Sequence, residues 1–371
     1  MSEFIVSARK YRPQTFDTVV GQTSITETLK KGIKNDHLAQ VFLFCGSRGV
    51  GKTTTARILA KTINCFNKSE NTEACDTCDS CISFNTGNSL NVSELDAASN
   101  NSVDDIRNLI DQVRIYPQLG THKVFIIDEV HMLSTNAFNA FLKTLEEPPK
   151  HAIFILATTE KHKIIPTILS RCQIFDFNRI RVKDMAEHLA QIATKENVNA
   201  EPEALHIIAM KADGSLRDAL SIFDQIVTFA GNSISYANVI DNLNILDYDY
   251  YFKLIDSIEK EDIAATFILL NEIYEKGFDG HNFVIGLAEH YRNLLVCKDE
   301  RTSSLLEVPE QIQKRFIDQA KEIDSLRIMR SLGVISKTDT EFKLSKNQRL
   351  LIEVALMQLC SLNQENEKKN P

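Results

Sequence analysis

The sequence predicts an α/β domain built on a parallel sheet, followed by a second half that is all helical. Three short apolar runs, at residues 41–44, 124–127 and 153–156, alternate with polar stretches of helical spacing in the first half. Runs of this kind are typical of strands buried on both faces, with helices covering the sheet. Beyond about Asn178 no comparable run occurs, and the chain is rich in helix-favouring Leu, Ile, Ala, Glu and Lys.

Length and composition indicate several domains. The chain has 371 residues, whereas single hydrophobic cores stop growing at about 250–300 residues. Its net charge of -8 means that any contact with DNA phosphates must be local or shared with other subunits. No apolar run approaches the roughly 20 residues of a membrane span, and the N-terminus lacks the pattern of a secretory signal. We therefore expect a cytoplasmic protein with no membrane partner.

The first apolar run is followed by a segment that fits the phosphate-loop pattern G-x-x-x-x-G-K-[ST]. In order, its residues are Gly46, Ser47, Arg48, Gly49, Val50, Gly51, Lys52 and Thr53. Backbone N–H groups of such a loop surround phosphate oxygens, the lysine neutralises the β- and γ-phosphates, and the hydroxyl can bind Mg²⁺. Because a strand precedes the motif and a helix-like stretch follows it, the pattern predicts a nucleotide site.

The second and third apolar runs end in polar side chains. Asp128 and Glu129 follow the second run, at the edge of the sheet where ligands bind in open α/β folds. We expect Asp128 to act on the Mg²⁺ shell and Glu129 to polarise an attacking water molecule, although a solvated acidic turn would read the same way. The third run ends at Thr158 and Thr159, either of which could contact the γ-phosphate or that water.

Four cysteines form the pattern C-x9-C-x2-C-x2-C, and they are Cys65, Cys75, Cys78 and Cys81. They occupy a polar loop that cannot build its own core, and their spacing is typical of a tetrahedral thiolate zinc site. An iron–sulfur cluster would accept the same four ligands. Since all four positions are filled by protein, we expect a structural ion. The remaining cysteines have apolar neighbours and are expected to be buried: Cys45, Cys172, Cys297 and Cys360.

Several segments together resemble the gamma/tau family of bacterial DNA polymerase III subunits. They are ARKYRPQTFDTVVGQ, GSRGVGKTTTARILAK, the four cysteines, SELDAAS, VFIIDEVHMLS, FNAFLKTLEEPP, ILATTE, ILSRCQIFDF and GSLRDALS. The match spans about the first 230 residues, and the cysteine cluster separates this family from most other AAA+ ATPases. The later residues resemble the family only loosely, ending in KNQRLLIEVALMQLC.

The resemblance implies a domain order. It predicts an AAA+ nucleotide-binding domain at residues 1–178 with a zinc module at 65–81, then an all-α lid at 179–243. An all-α collar for oligomerisation follows at 244–361, and we expect a disordered tail at 362–371. The extension through which tau forms bind helicase and polymerase is not expected in this chain, so a short gamma-like form and a truncated tau both remain open.

The resemblance also implies an activity. The family is the ATPase of the clamp loader, which opens a ring-shaped sliding clamp and closes it around primed DNA. ATP, Mg²⁺ and structural Zn²⁺ are the implied cofactors. The implied partners are other clamp-loader subunits and further copies of this chain, the clamp, and primed DNA bound by the assembled complex. Nucleotidyltransferase activity would belong to the polymerase holoenzyme.

Residue roles follow from the same resemblance. Lys52 and Thr53 correspond to the phosphate and Mg²⁺ ligands, and Asp128 and Glu129 to the Walker B pair. Thr159, in preference to Thr158, corresponds to the first sensor.

Two arginines take their meaning from the family, because either alone reads as a surface residue. Arg171 corresponds to an arginine finger that acts on ATP held by a neighbouring subunit, and Arg217 to the second sensor. Arg12, Pro13 and Val20 belong to the segment near the adenine.

Two other functions remain open at this point. One is a scaffold in which nucleotide only sets the conformation, which the complete set of catalytic residue types disfavours. The other is a different AAA+ DNA motor, such as a branch-migration helicase. The cysteine cluster and the Ser-Arg-Cys motif at Arg171 disfavour that function.

Overall fold

A computed structural model describes residues 5–243, 246–303, 305, 306, 308 and 310–362. These residues form two compact units. The first comprises the residues up to Val198 together with Ile208–Thr228, and the second comprises Asn199–Ile207 and the residues from Phe229 onward. The polar tail predicted at residues 362–371 lies outside the described residues except for Leu362. No helix in the described part of the chain is long and apolar enough to cross a membrane.

The first unit is organised around a five-stranded parallel sheet. Its strands are β1 (Val41–Cys45), β2 (Val92–Asp96), β3 (Lys123–Asp128), β4 (Ala152–Thr158) and β5 (Gln173–Asp176). Their order across the sheet is β2-β3-β4-β1-β5, and every pairing is parallel. The three strands predicted from apolar runs are the central ones, β1, β3 and β4. The edge strands β2 and β5 are largely exposed or half-buried, which is why no apolar run marks them.

The helices are numbered in chain order. They are α1 (Ser7–Lys10), α2 (Thr23–Lys34), α3 (Lys52–Ile63), α4 (Asp79–Asn85), α5 (Val103–Val113), α6 (Thr135–Glu146), α7 (Pro166–Leu169), α8 (Val182–Lys195), α9 (Pro202–Lys211), α10 (Leu216–Ala230), α11 (Tyr236–Leu243), α12 (Tyr248–Glu259), α13 (Ile263–Glu275), α14 (Gly280–Val296), α15 (Glu300–Ser303), α16 (Glu310–Glu322), α17 (Ser325–Phe342) and α18 (Gln348–Ser361). Single 3₁₀ turns occur at Phe16–Thr18, Val130–Met132 and Lys161–Lys163.

Each face of the sheet has its own core. On one face, α5 and α6 cover side chains such as Phe125 and Phe154, whose rings stack with centroids 5.4 Å apart. On the other face, α2 and α3 cover Phe42 and Phe44. Alternate residues of one strand thus serve opposite cores, which explains the uninterrupted apolar runs. The predicted parallel sheet with flanking helices is confirmed.

The second unit is helical apart from one short parallel ladder between β6 (Asn199–Ala200) and β7 (Ser233–Ile234). Its core is formed by buried side chains that include Phe252, Tyr291 and Phe316. Several of its helices begin at a side chain that accepts a backbone N–H of the first turn, and these N-caps are Asp247, Asp262, Asp279, Asp324 and Asn347. Short polar N-caps fix where each helix starts.

Candidate nucleotide-binding site and cysteine cluster

The predicted phosphate loop connects the buried end of β1 to the first turn of α3. Three of its glycines have backbone conformations that other residues rarely adopt, with φ of 147° at Gly46, 77° at Gly49 and 104° at Gly51. A side chain at Gly46 would also place its Cβ 2.5 Å from the carbonyl oxygen of Phe177. Backbone conformation therefore favours glycine at all three positions, and space also requires it at Gly46. The loop leads into the first turn of α3, whose N–H groups have no partner within the helix.

Lys52 is the first residue of α3, and its side chain folds back into the loop. Its ammonium group donates to the carbonyl oxygens of Gly46 and Ser47, at 2.8 and 2.9 Å. Only 5% of the residue is exposed, and burial lowers the pKa of this amine. The loop is thus preorganised around a positive charge that lies where a phosphate would be neutralised.

Thr53 and the acidic pair meet across the gap between α3 and β3. The Thr53 hydroxyl donates to Oδ2 of Asp128 at 2.6 Å, and the backbone N–H of Glu129 donates to Oδ1 of the same carboxylate at 3.0 Å. Glu129 itself has a left-handed backbone, with φ of 48°, which turns its side chain away from the direction of the strand. A hydroxyl and a carboxylate at this distance are the oxygen ligands that Mg²⁺ prefers, so this pair could hold the ion.

Both threonines at the end of β4 are engaged with the residues after β3. Thr159 donates its backbone N–H and its hydroxyl to Oε2 of Glu129, at 3.1 and 2.9 Å. Thr158 is fully buried, and its hydroxyl oxygen lies 3.0 Å from Nδ1 of His131. The other ring nitrogen of His131 lies 3.0 Å from a carboxylate oxygen of Glu160. The end of β4 therefore fixes Glu129 on one side and His131 on the other.

The phosphate loop opens into a cavity of about 780 Å³, enough for a nucleotide. Its walls include the predicted residues Arg12, Pro13, Val20 and Arg217. A neighbouring concavity of about 980 Å³ shares Arg12, Pro13 and Val20 but includes no residue of the phosphate loop. We assign the nucleotide to the smaller cavity because that one contains the phosphate-binding groups.

Arg12 and Arg217 bring positive charge to this cavity from two different elements. Nε of Arg12 donates to the Thr54 hydroxyl at 3.1 Å, beside the first turn of α3. Burial, followed by the charge of Arg57, lowers the pKa of the Arg12 guanidinium. Arg217 lies in the first turn of α10 and lines the same cavity.

Arg171 does not line the cavity of its own chain. It follows α7, with 36% of its side chain exposed, and its guanidinium donates to Glu146 at 2.9 Å and to the carbonyl oxygen of Thr167 at 2.6 Å. Arg171 therefore lies outside the cavity that contains Lys52 and Glu129.

The four cysteines predicted as metal ligands lie together, with all four sulfur atoms within 4.8 Å of one another. Thiolates around a tetrahedral zinc ion lie ~3.8 Å apart, given Zn–S bonds of about 2.3 Å, so a small contraction would complete the site. Cys65 and Cys81 are buried, and Cys75 and Cys78 are half-buried. The backbone N–H of Cys75 donates to Sγ of Cys65 at 3.3 Å, and that of Cys78 donates to Sγ of Cys75 at 3.4 Å.

The local environment favours thiolate at two members of the cluster, because the pKa values of both the Cys75 and the Cys78 thiols are lowered. A hydrogen bond from Thr77 is the largest cause that lowers the pKa of the Cys75 thiol, to about 5. Burial raises the pKa of Cys65 and Cys81. A bound cation would supply the charge that lets those two thiols also deprotonate. The donor set therefore fits zinc, and the ion would complete rather than distort the loop.

Some residues of the site were not predicted. Glu94 and Asp96 of the edge strand β2 line the cavity, and no apolar run in the sequence predicts this strand. His131 contacts Thr158 and Glu160 because the left-handed turn at Glu129 redirects the chain. The only local sequence signal for His131 was its position two residues after the acidic pair.

The fold and site define an AAA+ nucleotide-binding protein. Its phosphate loop follows β1, its acidic pair follows β3, and β4 lies between these two strands. Three family models match consecutive parts of the chain: "DNA polymerase III, delta subunit" at residues 21–181, "DNA polymerase III clamp loader subunit, ATPase lid domain" at 184–232, and "DNA polymerase III subunits gamma and tau domain III" at 234–370.

Individual relatives carry the assignment further. The chain is 33% identical to the DNA polymerase III subunit gamma of Buchnera aphidicola, over 96% of this chain and 98% of that one. It belongs to the gamma/tau family of DNA polymerase III subunits. It is also 38% identical to subunit tau of Bacillus subtilis and 36% identical to subunit gamma/tau of Mycobacterium tuberculosis, matching 98% and 95% of this chain. The chain spans 64% and 62% of the length of those two relatives.

Among solved structures, the chain is similar to a Holliday junction branch migration motor, RuvB of Thermotoga maritima. The TM-score is 0.48 and the identity is 19%, over 70% of this chain and 85% of that one.

We expect Lys52→Ala to abolish measurable ATP binding, because the variant lacks the buried ammonium that neutralises the phosphates. Equilibrium titration with a fluorescent ATP analogue would measure this. Lys31→Ala, which removes an exposed lysine of α2, is the matched control and should bind like the unaltered chain. Normal affinity in Lys52→Ala would contradict the assignment of the phosphate loop.

We expect one zinc ion per chain in protein purified without chelator, because four thiols converge on one point. Elemental analysis would measure it, and Cys78→Ser should lose the ion whereas Cys297→Ser, outside the cluster, should keep it. Iron with acid-labile sulfide in place of zinc would instead support the iron–sulfur alternative.

Proposed function

We propose that this chain is an ATP-hydrolysing subunit of a DNA polymerase III clamp loader. In this role, ATP binding and hydrolysis drive the opening of a ring-shaped sliding clamp and its loading on primed DNA. Family membership supports the assembly, and the site supports the chemistry. The observation that carries the proposal is the contact chain at the sheet edge, in which Thr53 donates to Asp128 and Thr159 donates to the adjacent Glu129.

Binding of ATP would exchange contacts that the chain now makes with itself. The Lys52 ammonium would leave the carbonyl oxygens of Gly46 and Ser47 and move to the β- and γ-phosphates. The backbone N–H groups at the start of α3 would donate hydrogen bonds to the phosphate oxygens. Arg12, Pro13 and Val20 would contact the nucleoside side of the cavity, with the Arg12 guanidinium near the first turn of α3.

The magnesium site in this proposal consists of the Thr53 hydroxyl and the Asp128 carboxylate. The ion would neutralise the charge that develops on the phosphates. Thr53 would turn its hydroxyl from Asp128 to make this possible, so the present 2.6 Å hydrogen bond holds both groups near their working positions.

Glu129 is the proposed base that polarises the attacking water. At present both Thr159 donors bind Oε2 of its carboxylate, and the proposal is that Glu129 rotates away from at least one of them when it polarises the water. Thr159 could then donate to the γ-phosphate, which is the role proposed for the first sensor. Arg217 would report the same phosphate to the lid from the first turn of α10.

Arg171 is the proposed arginine finger. The finger would leave Glu146 and contact ATP in the cavity of a neighbouring subunit, where it stabilises the charge of the transition state. Rapid hydrolysis would then require subunits placed side by side.

We further propose the domain boundaries, the partners, the metal cofactor and the cellular location of this chain. The domains are the AAA+ domain at 1–178, the lid at 179–243 and the collar at 244–361. The partners are other clamp-loader subunits and copies of this chain, the clamp, and primed DNA held by the complex. Zn²⁺ is a structural cofactor held by the four cysteines, and replication of chromosomal DNA corresponds to a cytoplasmic location.

We expect Glu129→Gln to lower the hydrolysis rate by about 10²–10⁴-fold while ATP still binds, because only the base is removed. Single-turnover hydrolysis by the assembled complex would measure the rate, and analogue titration the affinity. Equal losses of both quantities would contradict the assigned role.

We expect the hydrolysis rate to rise strongly when the cognate clamp, the other loader subunits and primed-template DNA are added together. In Arg171→Ala, we expect this stimulated rate to fall by about 10³–10⁵-fold while the ATP affinity stays unchanged. Glu146→Gln is the matched control, because it removes the ion-pair partner of Arg171 and leaves the finger in place.

Either of two outcomes would count against this proposal. If Glu146→Gln lost the stimulated rate as fully as Arg171→Ala, the ion pair rather than the finger would be responsible. If branched or duplex DNA alone stimulated hydrolysis and the clamp did not, the chain would be a translocating motor.

A further inference from the structure

Glu73 is a carboxylate with a buried position and no part in the chemistry described above. It lies in the loop between Cys65 and Cys75, and the residue is only 9% exposed. Its two oxygens accept the backbone N–H groups of Phe16 at 3.0 Å and Asp17 at 3.1 Å. Lys30 of α2 completes the arrangement with an ion pair at 2.7 Å. A buried charge is retained only with such partners, so this contact is specific.

The position of Glu73 depends on the cysteine loop. A tight turn precedes it, in which Ser69 donates its N–H to the Glu73 carbonyl oxygen at 3.0 Å and accepts the Glu73 N–H on its hydroxyl at 3.1 Å. Two residues later the chain reaches Cys75, whose sulfur belongs to the cluster. A metal ion on Cys65 and Cys75 would fix both ends of this stretch, and with them the carboxylate.

The segment that Glu73 holds leads directly into the nucleotide cavity. Phe16 is 1% exposed, belongs to the core under α2 and α3, and begins the 3₁₀ turn Phe16–Thr18. The turn closes when the N–H of Val19 donates to the Phe16 carbonyl oxygen at 3.2 Å. Val19 and Val20 then line the cavity. The anchored amides of Phe16 and Asp17 are thus three and two residues from Val19 in the cavity wall.

A second carboxylate of the loop contacts the last turn of α3. Oδ1 of Asp76, the residue after Cys75, lies 2.6 Å from the ammonium of Lys61, which is 2% exposed and belongs to α3. Asn85 donates to the same oxygen at 3.0 Å. Since α3 begins at Lys52, the cysteine loop contacts the phosphate-binding helix as well as the segment on the nucleoside side.

We propose that the metal-bound cysteine loop braces the nucleotide cavity, and that Glu73 is the positioning residue that transmits the brace to residues 16–20. The proposal rests on nucleotide binding in the proposed function and does not depend on clamp loading. Metal occupancy and nucleotide affinity are then coupled, and linkage makes the coupling reciprocal: nucleotide must also raise the affinity of the chain for the metal. The ion takes no part in hydrolysis.

The first test compares Glu73→Gln with the unaltered full-length chain, both loaded with zinc. The amide keeps the size of the side chain but loses the charge and presents an NH₂ group to one of the two backbone donors. We expect one zinc ion per chain by elemental analysis and a Kd for a fluorescent ADP analogue raised about fivefold or more, the scale of a typical coupling between sites. ADP removes any dependence on hydrolysis or partners.

The matched control is Glu70→Gln. It makes the same chemical change in the same loop, at an exposed residue that is not part of the contact with Phe16 and Asp17. Its Kd for the ADP analogue and its zinc content should equal those of the unaltered chain.

The second test removes zinc with a chelator and repeats the ADP titration. We expect the unaltered chain to lose affinity by about the factor seen in Glu73→Gln, and Glu73→Gln to lose little more, because the connection is already broken. Saturating ADP should raise the chelator concentration at which half of the zinc is lost at equilibrium in the unaltered chain but not in Glu73→Gln. A residue that only stabilised the loop would not change this reciprocal effect.

Several outcomes would overturn the inference. These are a zinc-loaded Glu73→Gln with normal ADP affinity, equal losses on zinc removal in both proteins, and loss of zinc from the variant itself. If Glu73→Gln fails to fold by circular dichroism, the unaltered chain decides: unchanged ADP affinity without zinc refutes the coupling. An unaltered chain that binds no ADP would overturn the proposed function as well, which separates the two failures.

Discussion

Parallel register among β1, β3 and β4 is the constraint on which the site depends. Cys45 pairs with Thr158, and Ile127 pairs with Leu156, so the three strands end at one edge of the sheet. The phosphate loop, the acidic pair and the two threonines all begin where these strands stop. Because side chains alternate between faces, a slip of one residue in any strand would bury the wrong face and move its polar terminus away.

Within the site, hydrogen-bond donors and acceptors of the chain pair with one another. Lys52 is held by loop carbonyls, Thr53 by Asp128, and Glu129 by Thr159. Buried polar groups without partners are costly, so these contacts stabilise the site. In each contact, one group is proposed to bind ATP, Mg²⁺ or water. It can separate from its present partner when that ligand binds. Under the proposed function, ligand binding would be an exchange of partners among positions that are already close to those it needs.

How much the sequence could predict depended on how local each signal was. The central strands, the phosphate loop and the cysteine cluster each occupy a short stretch, and the sheet and the cluster formed as predicted. Glu73 gave no signal, because its partners Phe16 and Asp17 are more than 50 residues away along the chain. His131 was missed because the turn before it follows neither helical nor strand periodicity. The roles of individual site residues stay predictions until they are measured.

The ion pair between Arg171 and Glu146 has a consequence for a chain on its own. Under the proposed function, each isolated copy can bind ATP but has no arginine finger from a neighbouring subunit, which rapid hydrolysis needs. Its own finger, Arg171, stays bound to Glu146 at the surface. Copies that are not yet assembled would therefore hydrolyse ATP only slowly and consume little of the ATP of the cell. Rapid ATP hydrolysis would begin only at a completed interface between subunits, so the hydrolysis rate would depend on assembly as well as on chemistry.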